Sequence, residues 1–512
     1  MANTQDNIIF NQAVAGQSIA GKPFLHKELL YVVDNNGGSG TYDRNQIEFE
    51  TSSLVNSRWA DYENAFITIP FVCTVERSDH HITADAENYI HMKSGIPLID
   101  KYSASYNGDP LVSERDAIAG LVAFNMHTQF SQDDLAVKGE ARGYHHDSSK
   151  WSWDPVEGLR IDRADLLANP QWWVETGHDS LLSLKDAKSS GFDTYEAVGD
   201  KHVYKKLIKI FLKDLPGFSA GFPVTRGGSI KLTMRLNQGS CVRTKRDAVV
   251  GPPAVDAGLT VVNSLKGASV PIMVTRNLDT APFAIGDTET IIWGVGQVDG
   301  QDGEMKSCRL YVPSYVMEKN AEETYMMSPE KTITFDDYLY VPIRDQAHGQ
   351  MNVNLTNGVK RARALLIIPQ LSASSNMEGV RPQESLVYGA PSISSPCQIS
   401  DFNVMVAGGD VYSKTMQYRY ENFQHELAQG RLGLNAGLVD GLCSSLISEK
   451  DYNGPFYYLY SDLSHREDYE DLTNVNIAIR GNVKSPKTLD FHCYVIYEKT
   501  FTINVVTGEK KM

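Results

Sequence analysis

The chain has 512 residues, of which 42% are hydrophobic and 22% charged, so it can bury sizeable cores and is not expected to be disordered. Its formal net charge of −15 makes the surface as a whole repel polyanions, which argues against a dedicated nucleic-acid-binding protein. No apolar run reaches the ~18 residues that a bilayer-spanning helix needs, and the first residues lack a signal-peptide pattern, so we expect a soluble protein made inside a cell.

The cysteines are scattered and contain no C-x-x-C pair. This spacing favours free, buried thiols in a reducing compartment over a disulfide framework or a zinc site. The six are Cys73, Cys241, Cys308, Cys397, Cys443 and Cys493.

Short clusters of β-branched and aromatic residues, separated by glycine and proline, predict many strands and few helices. Residues 1–40 end in a glycine-rich turn that leads towards the first predicted strand, Gln46–Thr51, in which Ile47 and Phe49 share one face. The run "AFITIPFVCTV" (65–75) is apolar on both faces, so it predicts a strand covered on both sides.

Residues from about 76 to 200 are predicted to form long insertion loops. They include four of the six tryptophans. Loops of this length inside a compact domain are usually functional. After them, "YKKLIKIFLKDLPGF" leads to "GGSIKLTMRLN", in which Ile230, Leu232, Met234 and Leu236 alternate with polar residues as in a strand.

The Gly/Pro-rich stretch 247–258 is predicted to link an N-terminal domain (1–250) to a C-terminal domain (259–512). The second domain is predicted to repeat the first. Thr288–Val295 corresponds to Gln46–Thr51 with an offset of 244 residues (Ile47 to Ile291), and the strand ending at Val312-Pro313 corresponds to the strand ending at Ile69-Pro70 with an offset of 243 (Pro70 to Pro313). One covering helix is predicted at Lys414–Gln429.

Three stretches approach catalytic motifs and then depart from them. "GQSIAGKP" (Gly16–Pro23) resembles a phosphate-binding loop, but Pro23 stands where a hydroxyl is required. "GFSAG" places Ser219 as in a nucleophile elbow, but prolines flank it and no helix follows. "HELAQ" begins like a zinc-protease helix, yet Gln429 replaces the second histidine.

The histidine pairs His80-His81 and His145-His146 have no further ligand at metal spacing, and the acidic turns lack calcium-loop spacing. We therefore expect no catalytic residue, no metal site and no cofactor. The most distinctive charged feature is a basic stripe in this acidic chain. It consists of Lys205, Lys206, Lys209 and Lys213, which predict either a solvated face or contact with a polyanion or an acidic neighbour.

Taken in order, several stretches resemble the double jelly-roll major capsid proteins of polinton-like viruses, virophages and related eukaryotic DNA viruses. They are "RWADYENAFITIPF", "KKLIKIFLKDLPGF", "IKLTMRLN", "CRLYVPSYVMEKNAEETYM", "KTITFDDY", "NVNLTNGVKRARALLIIPQ" and "IYEKTFTINVVTG". The resemblance covers most of the chain, except the tryptophan-rich region. It implies an all-β protein with two tandem jelly-roll sandwiches of about eight strands each, long loops and a few short helices.

The resemblance also implies a function. It predicts a non-enzymatic subunit that forms a pseudo-hexagonal homotrimer and tiles an icosahedral shell around a DNA genome. The expected partners are other copies of the chain, penton and minor capsid proteins, and weakly the genome or a membrane at the inner face. Two alternatives stay open: a β-sandwich carbohydrate-binding or adhesin module whose tryptophans stack on sugars, and a serine hydrolase that uses Ser219.

Overall fold

The structure is a computed structural model. It describes residues 23–35, 45–54, 58–77, 90–92, 94–130, 150–153, 173–177, 192–198, 201–245, 259–263, 270–274, 288–296, 307–372, 394, 397–429, 447–452, 456–463, 474–485 and 488–511.

Strands dominate the described residues. They are β1 (Phe24–Val33), β2 (Gln46–Glu50), β3 (Trp59–Ala60), β4 (Phe66–Arg77), β5 (Ile90–Met92), β6 (Ile99–Tyr106), β7 (Asp109–Arg115), β8 (Lys150–Trp153), β9 (Trp173–Gly177), β10 (Thr194–Val198), β11 (Lys201–Phe211), β12 (Ile230–Leu236), β13 (Gly239–Lys245), β14 (Leu259–Asn263), β15 (Ile272–Val274), β16 (Thr288–Val295), β17 (Arg309–Met317), β18 (Glu330–Gln346), β19 (Gly349–Val359), β20 (Ala362–Leu371), β21 (Gln398–Val406), β22 (Gly409–Asp410), β23 (Leu459–Asp462), β24 (Val475–Lys484), β25 (Leu489–Asn504) and β26 (Lys510–Lys511). The α-helices are α1 (Ile118–Gln129), α2 (Lys319–Met326), α3 (Tyr420–Gln429) and α4 (Glu449–Tyr452).

The first sandwich packs a nine-stranded sheet against a four-stranded one. The large sheet runs β1-β17-β4-β16-β13-β14, with β11 along the other side of β4, β10 beside β11, and β3 beside β17. The small sheet runs β2-β12-β6-β7. Alternate residues such as Ile67 and Ile69 of β4 and Leu232 and Met234 of β12 meet in one buried core, as the period of two in the sequence predicts.

The second sandwich packs the sheet β18-β25-β20-β23, with β26 at the end of β25, against the sheet β19-β24-β21-β22. Strand β20 is apolar on both faces, and Leu365 to Ile368 are fully buried. Helix α3 covers this sandwich with Phe423 and Leu427, both fully buried. Two further pairs, β5 with β15 and β8 with β9, form small two-stranded sheets.

The two sandwiches share one long antiparallel ribbon. Strands β18 and β25 pair from Glu330 and Asn504 to Gln346 and Leu489. Near one end of this ribbon, Phe335 and Phe501 join the first core, whereas residues nearer the other end, such as Tyr338, join the second. Because the same two strands enter both cores, the sandwiches are continuous through hydrogen-bonded backbone.

The first sandwich does not end near residue 250, where the sequence predicted the domain boundary. Strands β14, β16 and β17 all belong to the first sandwich, so that sandwich continues through Met317 instead of ending near residue 250. The proposed linker 247–258 lies outside the described residues. The predicted correspondence of halves is also wrong, because Arg309–Tyr311 of β17 pair directly with Thr68–Phe66 of β4 within one sheet.

The predicted long loops between 76 and 200 are partly wrong. Residues 94–130 form β6, β7 and the buried helix α1, which are parts of the core, while β8 and β9 place Trp151, Trp153 and Trp173 on a strand pair. Trp172 lies outside the described residues. The predicted covering helix begins at Tyr420, six residues late, because Met416 instead bridges to Phe402 as extended backbone.

Candidate interaction surface

The described residues hold no group of three or more metal-ligating side chains. Nor does any described helix have the length and apolar character needed to cross a membrane. The two predicted histidine pairs, and Gly16 to Lys22 of the phosphate-loop-like stretch, lie outside the part of the chain that the structure describes.

The two other catalytic look-alikes serve structural contacts. The Ser219 hydroxyl is buried and donates to the Leu212 carbonyl oxygen at 2.6 Å, in a turn region that leads into no helix. In the "HELAQ" stretch His425 is exposed, and Glu426 accepts a hydrogen bond from the Asp462 backbone N–H at 2.8 Å. Both serine and glutamate thereby satisfy buried backbone groups.

The predicted free thiols are confirmed where the structure describes them. Cys73, Cys241, Cys308, Cys397 and Cys493 are unbridged and buried, and Cys443 lies outside the described residues. Burial raises the pKa of the Cys73 thiol well above its ordinary value, so this sulfur stays protonated and unreactive at neutral pH.

Helix α1 fills the junction between the two sandwiches. Its apolar side chains point in all directions, as expected of a fully buried helix. Ile118, Val122 and Met126 pack into the first core, whereas Leu121 and Phe124 pack into the second. Gly120 allows the close approach, since a Cβ there would lie 2.5 Å from the Tyr494 hydroxyl oxygen.

A buried ion pair lies beside α1. Arg115 of β7 donates from Nε to Asp337 Oδ1 of β18 at 2.7 Å and from Nη2 to Asp337 Oδ2. Tyr497 of β25 donates to the same Oδ2 at 3.1 Å. Burial would lower the pKa of Arg115, but the hydrogen bonds and charge of Asp337 more than offset this, so the pKa is raised. The pair therefore fixes the first sandwich to the shared ribbon in its charged form.

The outer face of the nine-stranded sheet carries a row of aromatic rings that crosses four strands. The successive ring centroids of Tyr31, Tyr311, Phe66 and Phe211 lie 5.6, 5.0 and 5.7 Å apart. Cations lie over these rings: Lys209 Nζ is 3.9 Å from the Phe66 centroid, and the Arg309 guanidinium carbon is 4.7 Å from that of Tyr31. This surface combines flat aromatic area with positive charge.

The four lysines of the predicted basic stripe do not lie on one face. Lys205 and Lys209 share the outer face of β11, whereas Lys206 is at a position that faces the opposite side of the strand. Lys205 pairs with Glu196 at 2.8 Å, and Lys213 Nζ lies 5.7 Å from the Phe211 ring centroid. These cations thus bind carboxylate and aromatic groups of their own chain. Contact with a partner stays a prediction.

Sequence reasoning missed strand β1. The stretch "FLHKELLYVV" alternates Leu29, Tyr31 and Val33 on one face with Leu30 and Val32 on the other, a signal that was available. In the fold, β1 forms one end of the large sheet and leaves Leu25, Leu29, Tyr31 and Val33 exposed.

These features define a protein of two β-sandwiches fused through a shared ribbon and a buried helix. No protein-family model matches the chain, and no curated protein matches it. Among solved structures, a chain of the Sputnik virophage cryo-EM structure is 12% identical, with a TM-score of 0.50, over 97% of this chain and 89% of that one. The mavirus major capsid protein is 10% identical, with a TM-score of 0.49, over 96% and 91%.

The likeness to the Sputnik virophage chain extends over nearly the whole length of both proteins. It confirms the all-β, double jelly-roll fold that the sequence predicts.

Proposed function

We propose that this chain is a major capsid protein, a non-enzymatic building block of a viral shell. The observation that carries the proposal is the sharing of its fold, across 97% of its length, with a chain of a virophage particle. The sequence resemblance to double jelly-roll capsid proteins points to the same role independently of the coordinates.

The junction supports this role on physical grounds. A shell subunit transmits force between its two sandwiches, so they must keep one relative position. The shared β18/β25 ribbon, helix α1 and the Arg115–Asp337 pair connect the two cores by backbone, apolar and ionic contacts. A tightly coupled pair of sandwiches is suited to serve as one tile.

We infer that three copies form a homotrimer whose six sandwiches give a nearly hexagonal outline, and that trimers then tile an icosahedral shell around DNA. Penton and minor capsid proteins would close and cement that shell, and its inner face would contact the genome or a membrane only weakly. Many weak, symmetric contacts suffice, because closure of the shell multiplies them. Ser219 and Glu426 are buried and hydrogen-bonded to backbone groups, which supports a structural role over hydrolysis.

The test is the native mass of the purified full-length chain, followed by negative-stain microscopy. We expect a trimer near 170 kDa, three times the 56.8 kDa of one chain, or hollow particles of uniform diameter. A monomer at every concentration, with no particles at high protein concentration or raised salt, would refute the proposal.

A further inference from the structure

Among the described residues, strand β1 lies at an edge of the nine-stranded sheet. One side of it pairs with β17 from Phe24–Met317 to Val33–Arg309, and in the described part of the chain no strand pairs with its other side. Natural proteins usually shorten, bend or charge such edges, because unpaired backbone groups attract other strands. Here the edge is ten residues long, has a bulge between Phe24 and His26 near its start, and exposes Leu25, Leu29, Tyr31 and Val33.

The regular part of the exposed face of β1 has complementary residues on either side of Leu29. Positions 27, 29, 31 and 33 read Lys, Leu, Tyr and Val, whereas a bulge between Phe24 and His26 takes Leu25 out of the alternation. Leu29 is central, and Lys27 and Tyr31 flank it. The charged residue Glu28 lies on the other face, where it binds Arg58. An antiparallel copy of this strand would therefore meet a complementary face.

Cations and aromatic rings already contact one another along this face. Lys27 Nζ lies 5.6 Å from the Tyr315 ring centroid, and the Arg309 guanidinium carbon lies 4.7 Å from that of Tyr31. Such contacts are attractive at exposed sites and stronger where water is excluded. A second Lys27–Tyr31 set across an interface would use the same chemistry.

We propose that β1 pairs antiparallel with β1 of a second copy of this chain, across a two-fold axis at Leu29. The two nine-stranded sheets then become continuous across the subunit boundary. In this register Lys27 of each copy faces Tyr31 of the other, on either side of the central Leu29 pair. Backbone hydrogen bonds supply the affinity, and the side-chain pairs fix the register.

This inference rests on the proposed function, since it assigns β1 to the contact between trimers. A two-fold contact is isologous, whereas a cyclic trimer needs a heterologous one, so the two interfaces use different surfaces. One strand edge is a small contact beside the ~800 Å² per partner that a stable complex buries. The contact is accordingly weak alone and effective when repeated around a shell.

The first experiment compares full-length Leu29→Lys with Ile292→Lys. Leu29 and Ile292 are matched, being 48% and 52% exposed apolar residues on strands of the same sheet. Leu29→Lys places two ammonium groups face to face at the axis. We expect trimers to persist while the protein concentration for half-maximal particle assembly rises at least ten-fold. Ile292→Lys should assemble like the unmodified chain.

The second experiment reports geometry directly. Oxidised Leu29→Cys should cross-link into a species of twice the 56.8 kDa chain on a non-reducing gel, whereas Ile292→Cys should not. Unimpaired assembly of Leu29→Lys, or equal cross-linking of the two cysteine variants, would overturn the β1 pairing and leave the capsid role intact. A monomeric unmodified chain would instead remove the capsid role.

Discussion

Loss of Arg115 should weaken the junction between the sandwiches more than any exposed ion pair does. The Arg115 and Asp337 side chains are 12% and 1% exposed, so Arg115→Met leaves a carboxylate buried without its main partner. Removing one member of a buried pair typically costs 3–5 kcal/mol. Lys499 Nζ remains 3.8 Å from the Asp337 carboxylate, which places the expected loss in free energy of unfolding at about 3 kcal/mol.

Guanidinium unfolding monitored by tryptophan fluorescence measures this loss. A matched control is Arg480→Met, which breaks the Arg480–Asp410 pair at 2.6 Å, whose side chains are each 39% exposed. That change should cost less than about 1 kcal/mol. If the two variants lose equal stability, the junction pair is not the buried connector described above.

The double variant Arg115→Met/Asp337→Leu tests whether the lost stability comes from an unpaired buried charge. With both charges gone, no buried charge remains uncompensated, so the double variant should be more stable than Arg115→Met alone. Additive losses from the two single changes would contradict this reasoning.

Two further outcomes follow from the first sandwich. Gly228→Ala should destabilise the protein strongly, because Gly228 has a φ of +96° and an added Cβ would lie 2.2 Å from the Tyr106 hydroxyl oxygen. The control Gly408→Ala has a similar φ of +83° but open space around the Cβ, so it should cost only about 1 kcal/mol. Thermal unfolding compares the two, and equal shifts would exclude the steric effect. Burial raises the pKa of Tyr62 to about 12, against a lowering by its hydrogen bond to Thr51. Between pH 10 and 12 this tyrosine is therefore more often deprotonated in the unfolded chain than in the folded one. The free energy of unfolding should consequently fall by about 1.4 kcal/mol per pH unit over this range. Stability measured against pH should fall less steeply above pH 10 in Tyr62→Phe, and an unchanged slope would refute the assignment.

The period-two patterns were sufficient to predict single strands. Ile230 to Leu236 alternate in the sequence and form β12, with its apolar residues in the core. The free thiols were also predicted from the sequence, because the spacing of the cysteines argued against disulfides and metal sites. Helix α1 was missed because a helix that is apolar on all sides, such as Ile118–Gln129, shows no amphipathic period.

Contacts between residues far apart in the sequence could not be predicted from local patterns. The Arg115–Asp337 pair joins residues 222 positions apart, and the Asn107 side-chain amide donates to the Gly508 carbonyl across 401 positions. The similarity of the strands ending at Pro70 and Pro313 suggested a repeat of halves. The fold shows neighbouring strands of one sheet, since strand patterns report burial and not which strand lies alongside.

The amino-acid sequence by itself determined which segments extend, which faces are apolar, and the general class of fold, because these depend on side-chain chemistry repeated along the chain. Only the tertiary structure decided where one sandwich ends, that β18 and β25 serve both cores, and that β1 lies at the edge of the large sheet within the described part of the chain. Those features depend on which strands pair across hundreds of residues. Backbone N–H and C=O groups are the same at nearly every residue, so the local sequence does not specify which strand they bond to.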